Sequence, residues 1–176
     1  LGPVCLRVLT KLWRKHDKTF PSLHKALIET EKAQGTAAAA TIGPQAAAEM
    51  GLARVICIRE ICETNPNRGI DLLSIVQSCL AENDKTVVRE AVAALDALCR
   101  GDVLDVDFYA VWRMISRKKL RPDMLEDWGV LEQVMRLLAN GAEGAEEQLA
   151  GAKVVIGTLW ENRLHPSPPV RQRAME

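Results

Sequence analysis

Residues 84–91 (DKTVVREA) and 166–174 (PSPPVRQRA) open two helices in the same way, and their dipeptides Val88-Arg89 and Val170-Arg171 stand 82 residues apart. Two repeats of about 41 residues give that spacing, inside the roughly 40 to 47 residues of HEAT and armadillo units. In each stretch an aspartate or proline lies four residues before the Val-Arg pair, as at the start of the first helix of such a repeat. Val88 and Val170 are then expected to point into a stack, with Arg89 and Arg171 reaching toward neighbouring repeats. The fold class that follows is all-α, an α-solenoid of antiparallel HEAT or armadillo-like helix pairs.

Working outward, the chain alternates apolar helical stretches with short breaks. Leu6, Leu9, Leu12 and Trp13 recur at helical spacing over residues 3–16, with a proline at a tolerated early position. A second helix opens at Pro21 and ends in the charged run 29–32. Residues 34–44 (QGTAAAATIGP) have no apolar periodicity and are expected to form a flexible Ala/Gly-rich loop insertion. Helices are expected over 45–64, 69–80 and 84–100, with a turn forced at Asn65-Pro66-Asn67, Asp84 as a cap and Gly101 as a stop. Asp105 or Asp107 can cap the next helix, and two more cover 123–139 and 144–162 on either side of the Asn140-Gly141 break. With the opening at Pro166 this makes nine helices: four pairs and the first half of a fifth. A stack ending there leaves its last repeat uncovered, so residues 1–176 are expected to be part of one solenoid domain in a longer protein.

Composition narrows the function. Lys plus Arg and Asp plus Glu are 23 each, so no net field steers the chain toward nucleic acid or an anionic membrane. No apolar run approaches the roughly 20 residues of a membrane helix. The five cysteines (5, 57, 62, 79 and 99) show no CxxC spacing and read as buried thiols in a reducing cytosol. His16, His24 and His165 have no carboxylate or cysteine at ligand spacing. Phosphate-binding and nucleophile-elbow motifs are absent from the sequence. The expectation is therefore a non-enzymatic chain with no catalytic, cofactor-binding or metal residues.

Candidate contact residues are few. Arg113, Arg117, Lys118, Lys119 and Arg121 form a local basic run. It reads either as a phosphate-contact patch for RNA or as positive side chains complementing a helix C-terminus, and the second reading is preferred. Trp13 and Trp160 each follow a leucine near a helix end, where a large ring closes a helix pair in the core. Trp128, beside Glu126 and Asp127, is the candidate surface aromatic.

Four blocks in this order carry a resemblance: 6–27 (LRVLTKLWRKHDKTFPSLHKAL), 58–80 (IREICETNPNRGIDLLSIVQSCL), 94–99 (ALDALC), and Leu159-Trp160 followed by the Val170-Arg171 helix. Together they resemble a segment in the N-terminal half of the focadhesin family. Stretches 34–44 and 141–144 depart from that pattern. The resemblance implies a very large cytosolic helical scaffold without enzymatic activity, whose partners are proteins at focal adhesions or subunits of the Ski helicase complex of cytoplasmic mRNA surveillance. It carries over no binding residue. The alternatives are RNA contact through the basic run and a generic HEAT adaptor for transport or phosphatase assembly.

Overall fold

The computed structural model describes residues 2–34, 43–101, 103, 122–142 and 149–176, and among these the backbone forms nine α-helices, two 3-10 turns and no strand. Helix α1 is Pro3–Lys15, α2 Phe20–Gln34, α3 Pro44–Thr64, α4 Pro66–Ile70 and α5 Leu73–Cys79. Helix α6 is Lys85–Arg100, α7 Trp128–Ala142, α8 Leu149–Asn162 and α9 Pro168–Met175. The helix expected after Asp105 or Asp107, the basic run that ends it, and residues 35–42 of the proposed loop insertion lie outside the described residues.

Local chemistry sets the helix starts. Asp84 caps α6, its carboxylate accepting from the backbone N–H of Thr86 at 2.8 Å and of Val87 at 3.4 Å. Gly43 precedes Pro44 at a φ of 85°, a left-handed conformation that glycine adopts without a Cβ clash. Asn65-Pro66 does not simply break the chain. Asn65 accepts from the Arg68 N–H at 3.3 Å, and Pro66 opens α4. The single helix expected over 69–80 is thus two short ones, α4 and α5.

The helix expected at 123–139 is also displaced. A 3-10 turn occupies Pro122–Met124, and Asp127 rather than Asp123 caps the helix, accepting from Gly129 and Val130 at 3.0 and 3.1 Å. That helix continues through Asn140 and Gly141 to Ala142. The Asn140 side chain donates to Asp96 at 2.6 Å, a bond to the neighbouring helix that outweighs the local turn preference of Asn-Gly.

Packing proceeds in chain order. Helix α1 packs on α3, α3 on α6, α6 on α7, and α7 on α9, while α2 rests on α1 and α3, α5 on α6, and α8 on α7 and α9. The helices of the first set begin at residues 3, 44, 85, 128 and 168, in steps of 41, 41, 43 and 40. One apolar cluster runs through all of them, from Leu6 through Ile58, Leu95 and Val134 to Val170. At about 25 cal/mol per Å² of apolar surface removed from water, contact between successive helices is the main stabilising term.

A candidate interaction surface

The residues that carry the family resemblance near the N-terminus converge in space. Trp13 is buried at the end of α1, and its indole N–H donates to Asp17 Oδ1 at 3.2 Å. The other Asp17 oxygen accepts from Arg68 of α4 at 3.0 Å, and the Arg68 guanidinium lies 4.9 Å from the Phe20 ring centre. Trp13 and Phe20 pack with their centroids 6.0 Å apart. Hydrogen bonds from Arg68 and then Trp13 hold the Asp17 carboxyl below its usual range. Residues 6–27 and 58–80 are therefore joined by one cluster, and the sequence alone did not single out Arg68 as its link.

Ion pairs span each contact of the first helix set: Arg14 with Glu60 at 3.6 Å, Arg59 with Glu90, Asp96 with Arg136 at 3.4 Å, and Glu132 with Arg173 at 3.9 Å. Asp96 is buried and accepts as well from Arg100 at 3.1 Å. Val88 and Val170 are fully buried. Arg89 pairs with Glu90 at 3.0 Å and runs alongside Gly129 at the start of α7. Arg171 behaves differently from its expected role. Its guanidinium turns back onto its own loop, donating to the carbonyls of His165 and Pro166 at 2.8 and 2.9 Å, which lie outside any helix and need donors.

Arg54 was also missed by sequence reading, because nothing in residues 45–64 marks it as internal. It is 1 % exposed, donates to Glu82 at 2.7 Å and lies 3.6 Å from the Cys79 sulfur. Its Nε and Nη1 find no acceptor among the described residues. Burial pushes the Glu82 carboxyl above its usual range, against the pull of Arg54.

The described residues offer little chemistry. They contain no group of three His, Cys, Asp or Glu arranged to hold a metal, and no helix long and apolar enough to cross a membrane. Burial pushes the Cys62 thiol up to about 12 and those of Cys79 and Cys99 up to about 11, and it raises Cys57 as well. Thiolates are the reactive form, so these four are poor nucleophiles.

Some large apolar side chains are also exposed. On α1, Val4 and Val8 are exposed on the side opposite Leu6. At the other end Ile156, Trp160, Leu164 and Met175 are exposed, beside an open cleft of about 550 Å3 lined by Ala139, Leu159 and Ala174. Trp160 thus does not close the core, contrary to its sequence reading; it is 63 % exposed with Arg163 stacked 3.9 Å from its ring. Leu159, one residue earlier, takes the inward position. Trp128 is 56 % exposed and edge-on to His165 at 5.9 Å. The candidates Arg113, Arg117, Lys118, Lys119 and Arg121 lie outside the described residues.

A family model described as Focadhesin/RST1, DUF3730 matches residues 1–176. The chain belongs to the focadhesin/RST1 family. It is 30 % identical to focadhesin of Danio rerio over 168 residues, covering 91 % of this chain and 9 % of that protein. Focadhesins of Mus musculus and Homo sapiens are 26 % and 25 % identical over 182 residues, covering 99 % of this chain and 10 % of each of theirs. The chain therefore spans about a tenth of the length of the curated relatives it matches. No solved structure matches it.

Proposed function

We propose that the chain is a stretch of α-solenoid, built from HEAT-like helix pairs about 41 residues long, that serves as part of a non-enzymatic interaction scaffold in a focadhesin-like protein. The observation that carries this reading is the regular 40 to 43 residue step between helices that pack in chain order. In such an array each repeat meets only its neighbours, so the structure grows in one direction and offers a long surface to partners. Membership of the focadhesin/RST1 family favours this scaffold over a transport or phosphatase adaptor. The partner class is protein, with Ski helicase subunits or focal-adhesion components in the cytosol as the family resemblance implies.

The test is affinity purification of the full-length protein from its own cells, with mass spectrometry of what stays bound at moderate salt. Recovery of Ski helicase subunits supports the reading. Importin cargo or phosphatase subunits in their place would discard it. RNA contact through residues 113–121 would instead appear as binding that falls steeply with salt.

A further inference from the structure

The chain as a whole has no net charge, but α1 does not share in that balance. Its residues include the cations Arg7, Lys11, Arg14 and Lys15 and no acid. Arg14 is paired with Glu60 of α3. Arg7, Lys11 and Lys15 are exposed and form no ion pair among the described residues. They recur every fourth residue, so they make one row along the helix.

Val4, Val8 and Leu12 recur at the same step and are 70 %, 57 % and 41 % exposed. At 3.6 residues per turn the two rows are neighbours, with Lys11 only about 20° from Val4 and Lys15 about 20° from Val8. The buried Leu6 and Trp13 take the far side of the helix, where α2 and α3 pack. Helix α1 therefore turns outward a basic row beside an aliphatic one.

One kind of surface satisfies both rows. Anionic lipid headgroups neutralise the cations, and the acyl boundary just beneath them takes up the valines and the leucine. A nucleic acid would use the cations alone and leave the aliphatic row in water. The outer side of a single helix is also convex, which soft lipid can close around, whereas an anchor residue of a protein partner needs a pocket.

We infer that the outer side of α1 docks on the anionic leaflet of a bilayer, the helix lying in the plane of the membrane without crossing it. The cations supply most of the attraction, so it weakens as salt screens them.

The experiment is co-sedimentation of the purified full-length protein with vesicles of phosphatidylcholine, alone or with about one-third phosphatidylserine. The protein is expected to sediment with the anionic vesicles at about 0.05 M salt, to be released at about 0.3 M, and to ignore phosphatidylcholine alone. Lys11→Glu with Lys15→Glu should weaken binding at least about tenfold, and Lys11→Arg with Lys15→Arg should leave it unchanged. Val4→Ser with Val8→Ser should weaken it several-fold through the lost aliphatic contact. All four positions are exposed, so the melting temperature of each variant should match that of the unaltered protein. Absence of binding to the anionic vesicles overturns the inference and leaves an acidic protein surface as the occupant. Equal binding by the unaltered protein and the Glu variant overturns it too. So does binding that the Glu variant loses and the Ser variant keeps, which is the behaviour of a row for polyanions such as RNA.

Discussion

Helices α6 and α1 are both strongly amphipathic, yet ten of the sixteen residues of α6 are buried and only three of the thirteen of α1. The difference lies in their neighbours. Helix α6 has α3 on one flank and α7 on the other, so even Glu90 and Asp96 are drawn inside. Helix α1 is packed by α2 and α3 on its Leu6 side, while Val4 and Val8 face water. Burial here follows how many helices pack around a helix more than that helix's own apolar pattern.

Mutations can break that comparison. The largest loss is expected at the inner pair of Arg54 and Glu82. Glu82→Ala strands a buried guanidinium, at a cost of about 3–5 kcal/mol, whereas Arg54→Met leaves Glu82, whose side chain is 31 % exposed and can take up water, and is expected to cost less. Urea unfolding followed by circular dichroism reads both; equal losses would show that Arg54 is not desolvated. Next, Leu95→Ala in α6 and Trp13→Ala in the N-terminal cluster should each cost about 2–5 kcal/mol through the cavity left behind. The contrasting change, Val8→Ala on the open side of α1, should fall within about 0.5 kcal/mol in the 176-residue chain. Similar midpoints for Leu95→Ala and Val8→Ala would erase the distinction between inner and end helices.

Asp96→Ala deprives Arg136 and Asn140 of their shared acceptor and should cost about 1–3 kcal/mol. An unchanged melting temperature would mean that these contacts exchange with water at no loss. The smallest perturbation is thiol labelling. Cys5 is exposed, while Cys57, Cys62 and Cys79 are buried. A colourimetric disulfide reagent at pH 8 should modify Cys5 quickly and the other three only as the protein unfolds. Prompt reaction of Cys62 would place a solvent path through the α3–α4 contact.

The all-helical class and several helix starts are legible in the sequence. Val88 and Val170 lie on α6 and α9, two of the helices whose starts step by 40 to 43 residues, and Asp84 announces its cap through a local hydrogen bond. Long-range competition defeats the local signals elsewhere. Asn140-Gly141 reads as a break until Asp96, 44 residues away in sequence, binds the Asn140 amide. Pro66 reads as a turn until Asn65 is seen to cap a helix.

Trp160 shows the same limit in the opposite direction. An aromatic after a leucine has the pattern of a core residue, but Trp160 falls on the exposed side of α8 and stacks with Arg163, while Leu159 packs inward. Arg54 was hidden because a long cation inside a helical stretch has the same local signature whether it faces water or a buried acid. For the surface itself, the sequence pointed to Trp128 but gave no sign of the apolar stripe on α8.

The most direct test of the account is an electron cryomicroscopy map of the full-length protein resolving residues 1–176. The account predicts α1, α3, α6, α7 and α9 as consecutive rungs, roughly 8–10 Å between axes. A map in which α1 packs against α9 and closes the array, or in which the rungs depart from chain order, would contradict it.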